Sequence, residues 1–321
     1  MNVDQFSDSF QKSVDEVSRA VVGQRGVVEK VLIALLAKGH VLIEGVPGLG
    51  KTLLVRTLAH VVGASFRRIQ FTPDLMPTDV TGGNVFDAKR GEFVFNAGPV
   101  FTQLLLGDEI NRAPAKTQSA LLEAMQDRSV TADGVTRALP EPFVVIATQN
   151  PIESQGTYPL PEAQLDRFLL KIEISHPSRS TEEQVLTNYL NGFDPSQLDR
   201  LGLATVLDVP TLVAMQEFLA SVRVDKEILA YITDIVSRTR AHPSVYLGAS
   251  PRASIALMTT ARAQAASEGR DFVTPDDVKS FAPAVLRHRL ILHPDAELEN
   301  VTADNCVDSI LREAKVPKTA A

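Results

Sequence analysis

Two short stretches hold residue types that could do chemistry. The first is "GVPGLGKT", residues 45–52. Gly45, Gly48 and Gly50 let backbone N–H groups turn inward, and a helix opening with Lys51 and Thr52 follows directly. Inward amides at a helix N-terminus make an anion site suited to phosphate. Lys51 can reach the β- and γ-phosphates of ATP, and the Thr52 hydroxyl can ligand Mg2+. The rest of the loop, Val46, Pro47 and Leu49, is expected to line the nucleotide together with Leu53. A turn that merely caps a helix is the plain alternative. The complete motif between a strand and a helix argues against it.

The second stretch is "LLLGDEINRAP", residues 104–114. Three leucines run into Asp108 and Glu109, adjacent carboxylates that repel each other and resist desolvation. Downstream of a phosphate loop the pair has a purpose. Asp108 would hold the Mg2+ shell, and Glu109 would act as base toward a water. The chemistry implied is hydrolysis rather than transfer to an acceptor.

Three further residues are candidates on their own terms. Asn150 ends "ATQN" and could polarise a water or the γ-phosphate, although Asn-Pro also begins turns. Arg167 lies in "YPLPEAQLDRF", where a salt bridge to Glu162 or Asp166 is the plain reading. Arg252 follows Pro251 in the first turn of a helix, where the helix dipole opposes a cation. That conflict points to an anionic partner such as phosphate, with a plain surface arginine as the alternative.

The elements that must position these residues can be read from apolar patterning. Strands are predicted at 40–45, 66–71, 101–109, 143–148 and 168–174. The last three are nearly continuous in apolar residues, as in a sheet covered on both faces. Alternation with helices implies an α/β fold, an αβα core around a parallel sheet. Residues 84–98 and 128–140 break the rhythm and read as inserted hairpins, the second around Asp133-Gly134. After residue 177 helical spacing takes over: Leu212, Met215, Leu219 and Val222 share one face, and Ile228, Ile232, Ile235 and Val236 another. Ser250-Pro251 and Thr274-Pro275 are helix starts. We therefore expect a nucleotide-binding core over 1–177, an all-helical lid over 178–321 and a disordered tail from Lys315.

Composition bounds the rest. The 321 residues suffice for two domains, and no apolar run approaches the ~20 residues that span a bilayer. The N-terminal stretch does not resemble a secretory signal, and the single cysteine, Cys306, cannot form an internal disulfide. A cytoplasmic location is the expectation. The net charge of −7 disfavours a nucleic-acid partner. The six histidines show no metal-binding spacing.

Taken in order, the phosphate loop, "DEINRAP", "ATQNP", "LPEAQLDRF" and "GASPRA" resemble the MoxR family of AAA+ ATPases over nearly the whole chain. The resemblance implies an αβα core with two inserted hairpins and a helical lid. It implies that Asn150 is sensor 1 and that Arg167 is the arginine finger entering a neighbouring subunit's site. Arg252 would be the sensor-2 arginine, touching γ-phosphate in its own subunit. Val22 and Gly23, in "VVGQ", match the segment beside adenine. Arg112 is a second candidate for the finger. Gly107 stands where relatives often have Ala. The resemblance also implies ring assembly, commonly hexameric, and chaperone-like work on a protein client, often with a von Willebrand factor A domain partner. A nucleic-acid motor or transcription regulator is the competing reading. The mixed charges of the hairpin tips (Asp87, Lys89 and Arg90; Asp133 and Arg137) count against it.

Overall fold

The computed structural model describes residues 1–150, 156–195 and 197–317. Helices α1 (Val3–Ala20) and α2 (Arg25–Leu36) lead into β1 (Val41–Gly45) and α3 (Lys51–Val61). There follow β2 (Phe66–Gln70), α4 (Pro77–Thr81), the strand pair β3 (Gly82–Asp87) and β4 (Glu92–Ala97), and β5 (Leu104–Asp108). Next come α5 (Ala115–Asp127), the pair β6 (Ser129–Ala132) and β7 (Val135–Ala138), β8 (Val144–Gln149), α6 (Glu162–Leu165) and β9 (Leu170–Ile174). The remainder is α7 (Arg179–Leu190), α8 (Val209–Phe218), α9 (Lys226–Thr239), β10 (Val245–Leu247), α10 (Pro251–Ser267), α11 (Pro275–Leu286), β11 (Ile291–Leu292), α12 (Pro294–Leu298) and α13 (Ala303–Glu313).

The central sheet runs β2-β5-β8-β1-β9, every neighbour parallel. Its C-terminal edge therefore collects Gly45, Gln70, Asp108 and Gln149 in one row, with the loops that follow them. Side chains alternate between the two faces, as strand geometry requires. Ile43, Leu104, Leu106 and Ile146 pack in one apolar cluster with α1, α2, α3 and the C-terminal helices. Leu42, Leu105, Val145 and Ala147 pack in a second with Leu121, Leu122 and Met125 of α5. The sheet is thus covered on both faces, as its apolar strands predict. Gly107 belongs to this packing: a Cβ there would stand 3.3 Å from Phe71 Cε2.

Both inserted hairpins form. Ala132 pairs with Val135, and the turn residues Asp133 and Gly134 have φ of 51° and 76°. Positive φ at both central positions is what Asp-Gly supplies in a two-residue hairpin turn. The Arg137 guanidinium lies 3.8 Å from the centre of the Phe95 ring, joining the second hairpin to the first.

The C-terminal half is helical with one departure. β10 and β11 form a short antiparallel pair, Val245 opposite Leu292, and the His293 N–H donates to the Ser244 carbonyl at 3.0 Å. Two extended connections running side by side satisfy each other's backbone groups this way. The helical half is also tied to the N-terminus. Ser7 Oγ donates to the Ser267 carbonyl at 2.8 Å, and the Phe6 and Phe218 rings lie 5.7 Å apart. One apolar cluster therefore continues from residues before 178 to residues after it. Of the tail expected to be disordered, residues 318–321 lie outside the described residues.

Candidate functional site

The phosphate loop bridges β1 and α3. Gly48 and Gly50 take φ of 86° and 73°, with open space where a Cβ would stand. Left-handed backbone at both positions lets the loop curl around a ligand without side-chain interference. Lys51 Nζ donates to the Gly45 carbonyl and, at 3.3 Å, to that of Val46. Burial lowers the Lys51 pKa, and the facing Asp108, Glu109 and Glu44 oppose that shift.

Pro47, Gly48, Leu49, Gly50, Lys51, Thr52 and Leu53 border a cleft of about 520 Å3, and Asp108, Glu109 and Asn150 close its far wall. Asp108 accepts from Arg68 Nη2 at 2.6 Å and from Thr148 Oγ1 at 2.5 Å. Glu109 sits in the left-handed region at φ 55°, ψ 50°. A non-glycine residue there costs on the order of 1 kcal/mol. The Glu109 N–H donates to Thr148 Oγ1 at 2.9 Å, and its carboxylate accepts from Gln70 Nε2 at 2.7 Å and Arg112 Nη1 at 3.1 Å. Repulsion between the two acids is thus relieved by a separate polar partner set for each. Among the described residues lining the cleft, the Thr52 hydroxyl and the Asp108 carboxylate are oxygen donors a metal could take. That set suits Mg2+, which takes one or two protein ligands alongside phosphate oxygens.

A second cleft, about 410 Å3, adjoins the first across Pro47–Gly50 and Leu53. Val22 lines it. Gly23, at φ 75°, is pressed against α7: a Cβ there would meet Thr181 Cγ2 at 2.1 Å. The opposite wall comes from His176, Thr181, Val185, Tyr189 and Phe193, which sequence reading missed. An exposed helix with no chemical motif gives no signal of such a role. Arg68 and Gln70 were missed too. Their alternate spacing in "FRRIQF" puts them on one face of a strand, and that spacing could have pointed to them.

Arg112 pairs with its own Glu109 at 3.1 Å. Arg167 and Arg252 lie at the other end of the sheet. They border a cleft of about 350 Å3 with Lys38, His40, Arg128 and Arg289. His40 precedes β1 and Leu169 precedes β9, so this is the N-terminal edge of the strands, a strand's length, roughly 15 Å, from the phosphate loop. Arg167 does not bridge to Glu162 or Asp166; its Nη1 donates to the Leu122 carbonyl at 2.6 Å. The expectation for Arg252 needs correction. It does not border the phosphate-loop cleft but faces Asp166, its Nη1 4.0 Å from Oδ2. The reason is packing: Ser250 and Arg289 are both bonded to Asp166, which fixes the start of α10 at the distal edge.

A parallel αβα sheet with a phosphate loop after β1, paired acids two strands away at the end of β5 and a helical C-terminal half defines an ATPase core of the AAA class. Family comparison agrees. Residues 40–170 match the model described as ATPase family associated with various cellular activities, and residues 237–310 match the AAA lid domain. The chain is 50% identical over 306 residues to the uncharacterized protein YeaC of Bacillus subtilis, covering 95% of this chain and 94% of that one. It is 45% identical over 322 residues to Chaperone MoxR1 of Mycobacterium tuberculosis, covering 98% and 84%. A solved crystal structure of a candidate ATPase from Cytophaga hutchinsonii superposes with a TM-score of 0.90 at 38% identity, covering 98% and 97%. The chain belongs to the MoxR family of AAA+ ATPases. Among the described residues no helix is long and apolar enough to cross a membrane.

Proposed function

We propose that this chain hydrolyses ATP to ADP and phosphate, with Mg2+, inside a homo-oligomeric ring, and uses the cycle to remodel a protein client. The observation that carries this reading is the convergence of Lys51, Thr52, Asp108, Glu109 and Asn150 on one cleft at the C-terminal edge of the sheet. Lys51 binds and neutralises the outer phosphates. Thr52 and Asp108 would hold the Mg2+, whose charge stabilises the phosphoryl group in flight. Glu109 accepts the proton of the attacking water, and the Asn150 amide orients that water or the γ-phosphate.

Ring assembly is supported by the distal arginines. Arg167 and Arg252 are too far from their own phosphate loop to serve it, so an ATP phosphate reaches them only from another molecule. Both are read here as acting on a neighbouring subunit. A hexamer and a partner with a von Willebrand factor A domain rest on the family resemblance, and a cytoplasmic setting rests on the composition. The acidic net charge and mixed hairpin tips favour a protein client over nucleic acid.

Two variants test the chemistry. Glu109→Gln should bind ATP but release phosphate at least ~100-fold more slowly, because the base is lost while the phosphate and metal contacts remain. Lys51→Ala should lose nucleotide affinity itself. Sedimentation of Glu109→Gln with ATP should show a species several times the mass of one chain. Wild-type turnover in Glu109→Gln, or a monomer with and without ATP, would remove the corresponding half of the reading.

A further inference from the structure

At the distal cleft one carboxylate joins parts of the molecule far apart in sequence. Asp166 Oδ1 accepts from Arg289 Nε at 2.7 Å, and Asp166 Oδ2 accepts from Ser250 Oγ at 3.2 Å. Ser250 is the N-cap of α10, its Oγ accepting from the Arg252 N–H at 3.2 Å. Arg289 is buried, its side chain only 4% exposed. It also donates to the Phe168 carbonyl at 2.7 Å and the Leu169 carbonyl at 3.2 Å, the two consecutive residues that lead into β9. His288 Nε2 lies 3.0 Å from the same Phe168 carbonyl. The loop carrying Arg167 is thereby fastened to the two helices that frame Arg252.

The distances grade the partners. Asp166 is committed to Arg289 at 2.7 Å and only loosely engaged with Arg252 at 4.0 Å. Arg252 is 59% exposed. An ion pair that long and that wet holds a guanidinium weakly, so a phosphate can draw it away. Arg289 stays behind as the buried anchor. Around the cleft Lys38, Arg128, Arg167, Arg252 and Arg289 face one acid, Asp166, which suits an incoming polyanion.

We propose that Asp166 is a positioning residue that locks Arg167 and the start of α10 into one body, so that Arg167 and Arg252 reach a neighbouring subunit's phosphate as a pair of fixed spacing. This rests on the reading that both arginines act between subunits. Removing Asp166 leaves both guanidiniums present but unaligned, and misplacement by about 1 Å can cost ~100-fold in rate.

The test is complementation between variants. Asp166→Asn leaves Arg289 buried without its acid and can destabilise the fold, so Asp166→Asn/Arg289→Gln, which removes both charges, is prepared beside it. Either protein alone should bind a fluorescent ATP analogue within about twofold of wild type, since its phosphate loop is intact, while kcat falls about 10- to 100-fold at unchanged KM. Mixed with Lys51→Ala it should regain activity; mixed with Arg167→Ala or Arg252→Ala it should not, because all three damage the same surface. Wild-type kcat, a raised KM with kcat kept, or rescue by Arg167→Ala but not by Lys51→Ala would overturn the proposal. If Arg167→Ala itself is not rescued by Lys51→Ala, the intersubunit reading falls first and takes this proposal with it.

Discussion

At the C-terminal edge of the sheet the chemistry sits on contiguous stretches: a loop of eight residues, two adjacent acids, one amide. At the N-terminal edge the contacts join segments far apart in sequence, from Arg167 to Leu122 across 45 positions to Asp166 and Arg289 across 123. The near end would be a self-contained phosphate and metal site within one chain. The far end gathers Lys38, Arg128, Arg167, Arg252 and Arg289 around a single acid, Asp166. A ring ATPase needs both, because each subunit's near end would face the next subunit's far end. The way to break this picture is to damage one end and ask whether the other end of a second molecule compensates.

The largest effect is expected from Arg167→Ala. A guanidinium on the transferring phosphoryl group is worth about 10³–10⁵ in rate in P-loop enzymes. The variant alone should be nearly inactive in a phosphate-release assay. Mixed with Lys51→Ala it should recover, since an intact Arg167 then meets an intact phosphate loop. Arg252→Ala should recover in the same mixture, because the structure places it beside Arg167 and away from its own phosphate loop. Rescue of Arg167→Ala without rescue of Arg252→Ala would restore the cis role that the family resemblance implies for Arg252.

The difference between the two ends also decides what could be read without a structure. The phosphate loop, Asp108 and Glu109 were legible because local backbone geometry dictates glycine and acid placement. The five strands followed from apolar runs, and the second hairpin from Asp133-Gly134 between alternating residues. The side on which Arg252 lies was not legible, because no local pattern tells where α10 docks. That is set by Ser250 and Arg289 closing on Asp166 and by α1 packing on α10. The place of Tyr189, on α7, and of Phe193, just beyond it, along the second cleft was hidden for a similar reason: α7 has no buried residue and no motif.

Acid should loosen the far end through His40. Its Nδ1 accepts from the Val145 N–H at 2.9 Å, and its Nε2 lies 3.1 Å from the Met125 carbonyl, tying β8 to α5 beneath the distal cleft. Burial lowers its pKa from 6.5 to about 4. Between those values the unfolded chain binds a proton that the fold refuses. Stability is therefore whole above pH 6.5 and falls as pH drops toward 4, by on the order of 3 kcal/mol for this group. Buried His288, whose pKa is also lowered by burial, adds in the same direction. Thermal unfolding followed from pH 7 to 4 should show the decline, and His40→Gln should flatten it. An unchanged slope in that variant would mean that acidic residues elsewhere set the acid limit.

The smallest effect tests the near end. Arg68 Nη2 lies 2.6 Å from Asp108 Oδ2, on the carboxylate expected to face the metal. The guanidinium and Mg2+ then compete for one acceptor. Arg68 is 46% exposed, so solvent weakens the pair, and such pairs are worth about 0.2–1 kcal/mol. Arg68→Ala should accordingly lower the Mg2+ concentration giving half-maximal ATP hydrolysis by roughly two- to fivefold, with nucleotide affinity in the absence of metal little changed. Titration of Mg2+ at fixed ATP reads this directly. A rise in the Mg2+ requirement would show instead that Arg68 supports the metal site by orienting Asp108. The near end would then depend on a cross-strand partner, as the far end depends on Asp166.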